Sequence, residues 1–193
     1  MRWGAGHVGT MSAEDEAGFR GLFDSHFADV WRFARRRVGS AADADDVTAE
    51  TFATAWRRRD RLPPGEGARL WLFGVARNVL ANRRRADARR RRLHLRLVAT
   101  RLDETVAPPE PGVGLPAALA ALGDAEREVL IMRHWDGLAV QDIATLLGCT
   151  PNAVSLRLHK ARRRLAGLLD AKDPAAAGQV GVDPTAREER GHA

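Results

Sequence analysis

The sequence predicts an all-α protein: two small helical domains joined by a flexible linker, the C-terminal one a helix-turn-helix. Three observations carry that prediction. Apolar residues recur at helical spacing on both sides of a Pro/Gly-rich stretch, DETVAPPEPGVG at 103–114, while strand-like alternation appears nowhere. The 193 residues suffice for two small domains, and an apolar fraction of 45% suits folded blocks. The C-terminal block carries the small residue, the turn glycine and the apolar locks that a helix-turn-helix requires.

The expected boundaries are a disordered lead over 1–17, a helical domain over 18–100, a linker over 101–114, a helix-turn-helix domain over 115–169 and a disordered tail over 170–193. The tail is rich in Ala, Gly, Pro and charge, a composition that does not build a core. Met11 is a second candidate start, since nothing before it resembles a structured element. In the first block Phe19, Leu22, Phe23, Phe27, Val30, Trp31, Ala34 and Val38 define one helix, and Gly39-Ser40 ends it. Val47, Phe52, Ala55 and Trp56 form the apolar side of a second. LPPGEG at 62–67 is a loop, and a third helix with Leu72, Val75, Ala76 and Val79 runs into the basic run RRRADARRRR at 83–92. In the second block a short Ala/Leu helix from Leu115 stops at Gly123. Asp124 is placed to cap AEREVLIMRHW, Asp136-Gly137 makes a turn, and 138–147 forms another helix. Gly148 stops that helix, and Thr150-Pro151 opens the last with a good N-cap and a proline at the first helical position.

The net charge of +6 calls for a polyanionic partner, nucleic acid or an anionic membrane. Membrane insertion is not expected: no stretch approaches the roughly 20 apolar residues of a spanning helix, and MRWGAGHVGT lacks the apolar core of a signal peptide. The expectation is a cytoplasmic protein, with Cys149 as a lone thiol consistent with a reducing compartment. No cofactor or metal is expected, because neither a second Cys nor a paired His gives Cys149 or His159 zinc-ligand spacing. An enzyme is not expected either, since the second block offers no carboxylates to match those of the first.

Within VQDIATLLGCTPNAVSLRLHKARRRL, Ala144 is the small residue where two helices touch, and Gly148 can adopt positive φ in the turn. Ile143, Leu147, Cys149, Val154 and Leu158 lock the pair. On the last helix Asn152, Ser155, His159 and Arg162 fall opposite Val154, Leu158, Ala161 and Leu165, where they can meet base edges in a major groove. Leu156 beside them suits a thymine methyl. Arg157, Lys160, Arg163 and Arg164 are placed for phosphates, which add affinity without sequence information. The plainer reading is an amphipathic hairpin with a solvated basic face.

Two stripes stand out in the first block. Asp43, Asp46 and Glu50 share one helix face, with Asp45 nearby. They are either acids near a helix N-terminus that favour the macrodipole, or a docking surface for a basic protein. Downstream, Asn78, Asn82, Arg85 and Arg89 align, flanked by Arg77 and Arg84; an amide among arginines can both donate to and accept from a base edge. Trp56 and Trp71 bracket the 62–67 loop, where aromatics can stack on unpaired bases but more often belong to a core.

In combination these pieces resemble the extracytoplasmic-function sigma factors of bacterial RNA polymerase. DADDVTAETFATAW at 43–56 is similar to the family's clamp-binding motif and WLFGVARNVLANRRR at 71–85 to its promoter-melting helix. LGDAEREVLIMRHWDGLAVQDIATLLGCTPNAVSLRLHKARRRL at 122–165 looks like its fourth conserved region. The resemblance implies a non-enzymatic subunit that binds core RNA polymerase at its clamp and flap and directs it to promoter DNA, duplex and melted. An anti-sigma factor is an implied candidate partner. Asp43, Asp46 and Glu50 would dock on the clamp. Arg77, Asn78, Asn82, Arg84 and Arg85 would act at the −10 element, with the 62–67 loop capturing an everted base. Thr150, Asn152, Ser155, Leu156, Arg157, His159, Lys160 and Arg163 would act at the −35 element. The chain departs from the family pattern at Ala49, where glutamine is common, at Asn82, where aspartate is, and at Ser155-Leu156, where Lys-Ser is. The alternative is a conventional helix-turn-helix regulator that binds duplex DNA without polymerase; it leaves the acidic stripe unexplained.

Overall fold

A computed structural model describes residues 13–65, 67–98 and 114–171. Most of the expected lead, linker and tail therefore lies outside the described residues. The chain divides into two compact units, Met1–Thr105 and Val106–Ala193. Every regular element described is helical, and no helix among the described residues is long and apolar enough to cross a membrane.

The first unit packs three helices, α1 (Ala13–Arg35), α2 (Ala41–Arg57) and α3 (Gly67–Val98), with a 3-10 turn at Arg59–Arg61. Helix α1 thus begins four residues before the end of the expected lead. Val30, Ala34, Val47, Phe52, Ala55, Leu72, Ala76 and Val79 are buried, as the periodicity requires. At the centre lie two aromatics outside the predicted stripes: Phe33 and Phe73 stack with centroids 4.6 Å apart. The Arg37 guanidinium covers Phe33 at 3.5 Å and that of Arg69 covers Phe73 at 4.8 Å. Asp29 holds Arg69 at 2.8 Å, so the stack is closed at both ends by cations. Buried Thr48 and Thr51 are satisfied within α2, each hydroxyl donating at 2.7 Å to the carbonyl four residues back. The N-terminal part of the predicted α1 stripe is not core: Phe23 and Phe27 are 37% and 40% exposed and pack against Phe52 at the edge of the bundle.

Ser40, which ends the first hydrophobic pattern, also starts the second helix. Its hydroxyl oxygen accepts from the Asp43 N–H at 3.0 Å and its proton goes to the Asp43 carboxylate at 2.6 Å.

The second unit comprises α4 (Leu115–Ala121), α5 (Asp124–His134), α6 (Val140–Leu147) and α7 (Pro151–Asp170). Among the described residues, its buried side chains, including Leu122, Val129, Leu130, Met132, Leu138, Ile143, Val154 and Leu158, contain no aromatic. Asp124 is not the cap of α5: Gly123 holds that position, and Asp124, already helical, pairs its carboxylate with Arg127. Helix α6 begins at Val140 rather than at 138. Leu138 instead plugs the core from the extended segment, and the Ala139 N–H donates to the Asp142 carboxylate at 3.3 Å. The last turn follows the sequence closely. Gly148 adopts φ 64°, ψ 39°, letting the Cys149 N–H reach the Ala144 carbonyl at 3.0 Å. The Thr150 hydroxyl oxygen accepts from the Ala153 N–H at 3.2 Å, with Pro151 at the first helical position. Of the apolar positions expected to lock the pair, Ile143, Val154 and Leu158 are buried and Leu147 and Cys149 half-buried.

Candidate nucleic-acid interface

The α7 surface is set by what holds the helix. Val154, Leu158 and Ala161 are buried against the rest of the unit, which turns Asn152, Ser155, Leu156, His159, Lys160 and Arg163 to solvent. Leu156, 54% exposed, stands in line with Asn152, His159 and Arg163 at the middle of this stripe rather than beside it. An apolar side chain held in water among polar ones is fitted for a methyl group on a partner. Arg157 is half-buried on the flank, and Thr150 is committed to its cap. Two arginines of the expected DNA set are drawn to α5: Arg162 lies 3.4 Å from the His134 ring nitrogen, and Arg164 pairs with Glu126 at 3.4 Å. Next to His134 the Trp135 ring is 42% exposed, an aromatic that helical period alone does not single out.

On α3, Asn78, Asn82, Arg85 and Arg89 are exposed on one side, as their spacing predicts, while Arg77 is half-buried on the flank. Asn82 does not present a free amide: its oxygen accepts a short hydrogen bond from Arg85. Trp56 and Trp71 are both half-buried. Trp56 closes an aromatic cluster, 4.8 Å from Phe19, and carries Arg59 5.0 Å from its ring.

Asp43, Asp46 and Glu50 share one exposed face of α2, with side chains 53%, 68% and 48% accessible. They already face a cation. Arg83 of α3 lies 3.9 Å from Asp43, 3.3 Å from Asp46 and 3.9 Å from Glu50. Arg83 and Arg84, with Arg37, Asp87 and Arg90, line a cleft of about 580 Å³ beside these acids. In sequence Arg83 is one more member of a basic run. The signal that separates it lies in its register: Leu72, Ala76, Val79 and Arg83 occupy one face, and the first three are core. Asp45 points elsewhere and accepts from the Trp31 indole at 2.7 Å.

The families Sigma-70 region 2 and Sigma-70, region 4 match residues 22–90 and 114–165, which take in most of the helices just described. The chain is 36% identical over 164 residues to the ECF RNA polymerase sigma factor SigL of Mycobacterium tuberculosis, spanning 82% of this chain and 92% of that protein. The solved structure of CnrH in complex with the cytosolic domain of CnrY superimposes with a TM-score of 0.58 at 30% identity, over 81% of this chain and 90% of CnrH. The sigma factor RpoE of Bartonella quintana, solved with the anti-sigma factor NepR, gives 0.58 at 25% identity, over 79% of this chain and 97% of RpoE. Fold, surfaces and comparisons define an RNA polymerase sigma factor, a DNA-recognition subunit that directs promoter-specific transcription. Within that class the chain belongs to the extracytoplasmic-function (ECF) family.

Proposed function

We propose a division of labour within the sigma factor. The Asp43/Asp46/Glu50 face of α2 docks on the clamp of core RNA polymerase. Asn78, Asn82, Arg85 and the flanking Arg77 and Arg84 on α3 engage the −10 element. The α7 stripe of Asn152, Ser155, Leu156, His159 and Arg163 reads the −35 element in the major groove, with Arg157 and Lys160 on phosphates. The observation that carries this reading is the opposition of signs: one exposed face of α2 is acidic, and the exposed sides of α3 and α7 are basic or amide-bearing. DNA repels the first and attracts the others. Separating a base from its stack costs a few kcal/mol, and stacking against aromatics returns about 1–3 kcal/mol per base. The protein acts in the cytoplasm without chemistry of its own. That CnrH and RpoE were solved with CnrY and NepR supports an anti-sigma factor as a further partner.

The test is size-exclusion chromatography of the protein with bacterial core RNA polymerase, beside an Asp46→Arg/Glu50→Arg variant. Co-elution of the wild type, lost in the variant, is expected. Tight, specific binding to duplex DNA with no polymerase complex would identify a conventional regulator instead.

A further inference from the structure

The acidic face of α2 is not empty. One guanidinium, from Arg83, lies within 4 Å of all three of its carboxylates, and it comes from α3, the helix whose opposite side is proposed to meet DNA. Arg83 is one-third exposed, whereas the acids it faces are about half or more exposed. It is therefore more shielded than the acids, which keep their outer edges open to solvent.

We infer that Arg83 is an internal placeholder for the cationic side chain of the docking partner, and that it sets the affinity of the face for core polymerase below what three bare carboxylates would give. This rests on the reading of Asp43, Asp46 and Glu50 as the docking face. Arg83 is the one guanidinium within 4 Å of the three carboxylates, while Arg37, Arg84 and Arg90 line the cleft alongside, so it is the exposed outer edges of the acids that offer a basic partner its contact. Yet each acid has a partner to give up or share when that surface arrives. Exposed ion pairs of this kind are weak and exchange readily, and their distances of 3.3–3.9 Å lie at the loose end of the range for charged partners. A placeholder of that strength tunes binding without blocking it. A guanidinium is well shaped for this role, because its planar fork can address several carboxylates at once, which a lysine ammonium does less well.

The experiment measures the affinity of the full-length protein for core RNA polymerase, at low and moderate salt, for the wild type and for Arg83→Gln, Arg83→Lys and Asp46→Arg/Glu50→Arg. Circular dichroism confirms helicity in each. Arg83→Gln is expected to bind roughly three- to ten-fold more tightly at low salt, the gain shrinking as salt screens it. Arg83→Lys, which keeps the charge and loses the fork, is expected between the two and still informs if the glutamine variant does not fold. Unchanged or weaker binding of the folded Arg83 variants, with Asp46→Arg/Glu50→Arg still defective, overturns the placeholder and leaves the docking face standing. Wild-type affinity in Asp46→Arg/Glu50→Arg removes the docking face itself, and the placeholder with it.

Discussion

Helices α3 and α7 both present a polar side to solvent, but on opposite terms. On α7 the exposed stripe of Asn152, Ser155, Leu156, His159 and Arg163 takes no hydrogen bond or ion pair from other described residues. The helix is fixed by its other side and its start: buried Val154, Leu158 and Ala161, the Thr150 cap and the left-handed Gly148. On α3 several polar groups are engaged, with each other or with neighbouring helices. Arg85 engages Asn82, Arg83 faces three acids of α2, and Arg69 pairs with Asp29 over Phe73. On α7 the side chains proposed to read DNA are separate from those that hold the helix; on α3 the proposed readers Asn82 and Arg85 also hold each other. Substitutions on the α7 stripe should therefore act independently, and those on α3 should be felt by their neighbours.

The largest effect that tests this contrast lies in the cores. Phe73→Ala removes the partner of Phe33 and the platform of Arg69 together, and is expected to destabilise the first unit by about 3–5 kcal/mol in urea unfolding. A loss below about 1 kcal/mol would show that the cation-closed stack does not organise α3. Asn152→Ala should cost about 1–3 kcal/mol of discrimination at a single base pair of the −35 element, read by promoter binding of the reconstituted holoenzyme, with a melting temperature equal to the wild type's. A drop in melting temperature of several degrees would mean that this exposed stripe also holds the helix. Thr150→Ala, by contrast, is expected to cost about 1 kcal/mol of stability and to weaken every promoter alike. The finest test is a pair of double-mutant cycles on promoter affinity. Asn82→Ala with Arg85→Ala should show coupling of at least about 0.5 kcal/mol, while Asn152→Ala with Arg163→Ala should add within about 0.5 kcal/mol. Equal coupling in the two cycles would erase the distinction between the helices.

How far the sequence discloses this arrangement depends on whether a feature is local. The turn before α7 is legible because its determinants are adjacent: Gly148 for the positive φ, Thr150 for the cap, Pro151 for the first helical position. The buried face of α7 follows from helical period, and that of α3 does so in part, through Leu72, Val75, Ala76 and Val79 but not Phe73 or Leu80. Phe33 escapes because the buried side of α1 is broader than a single seam and takes both Phe33 and Ala34. Phe23 and Phe27 mislead for the converse reason: period places them on the right side of α1 but does not say where the bundle ends. Asp124 and Gly123 both suit an N-cap, and the choice between them depends on backbone geometry one residue away. The acidic stripe is visible as three residues on one helix face. Its partner is not, because Arg83 lies more than thirty residues from any of them and looks, in sequence, like the arginines beside it.

The division of α7 into a side that holds and a side proposed to read also bears on how such a protein changes over generations. Most substitutions are filtered first by stability, and a residue that packs nothing and caps nothing escapes that filter. Positions 152, 155, 156, 159 and 163 are exposed and can vary with little loss of folding, so, on the proposed reading, the DNA address can drift while the fold stays intact. Duplicated copies of such a gene could thus acquire separate sets of target promoters through a handful of changes on one helix, without first passing through an unfolded ancestor.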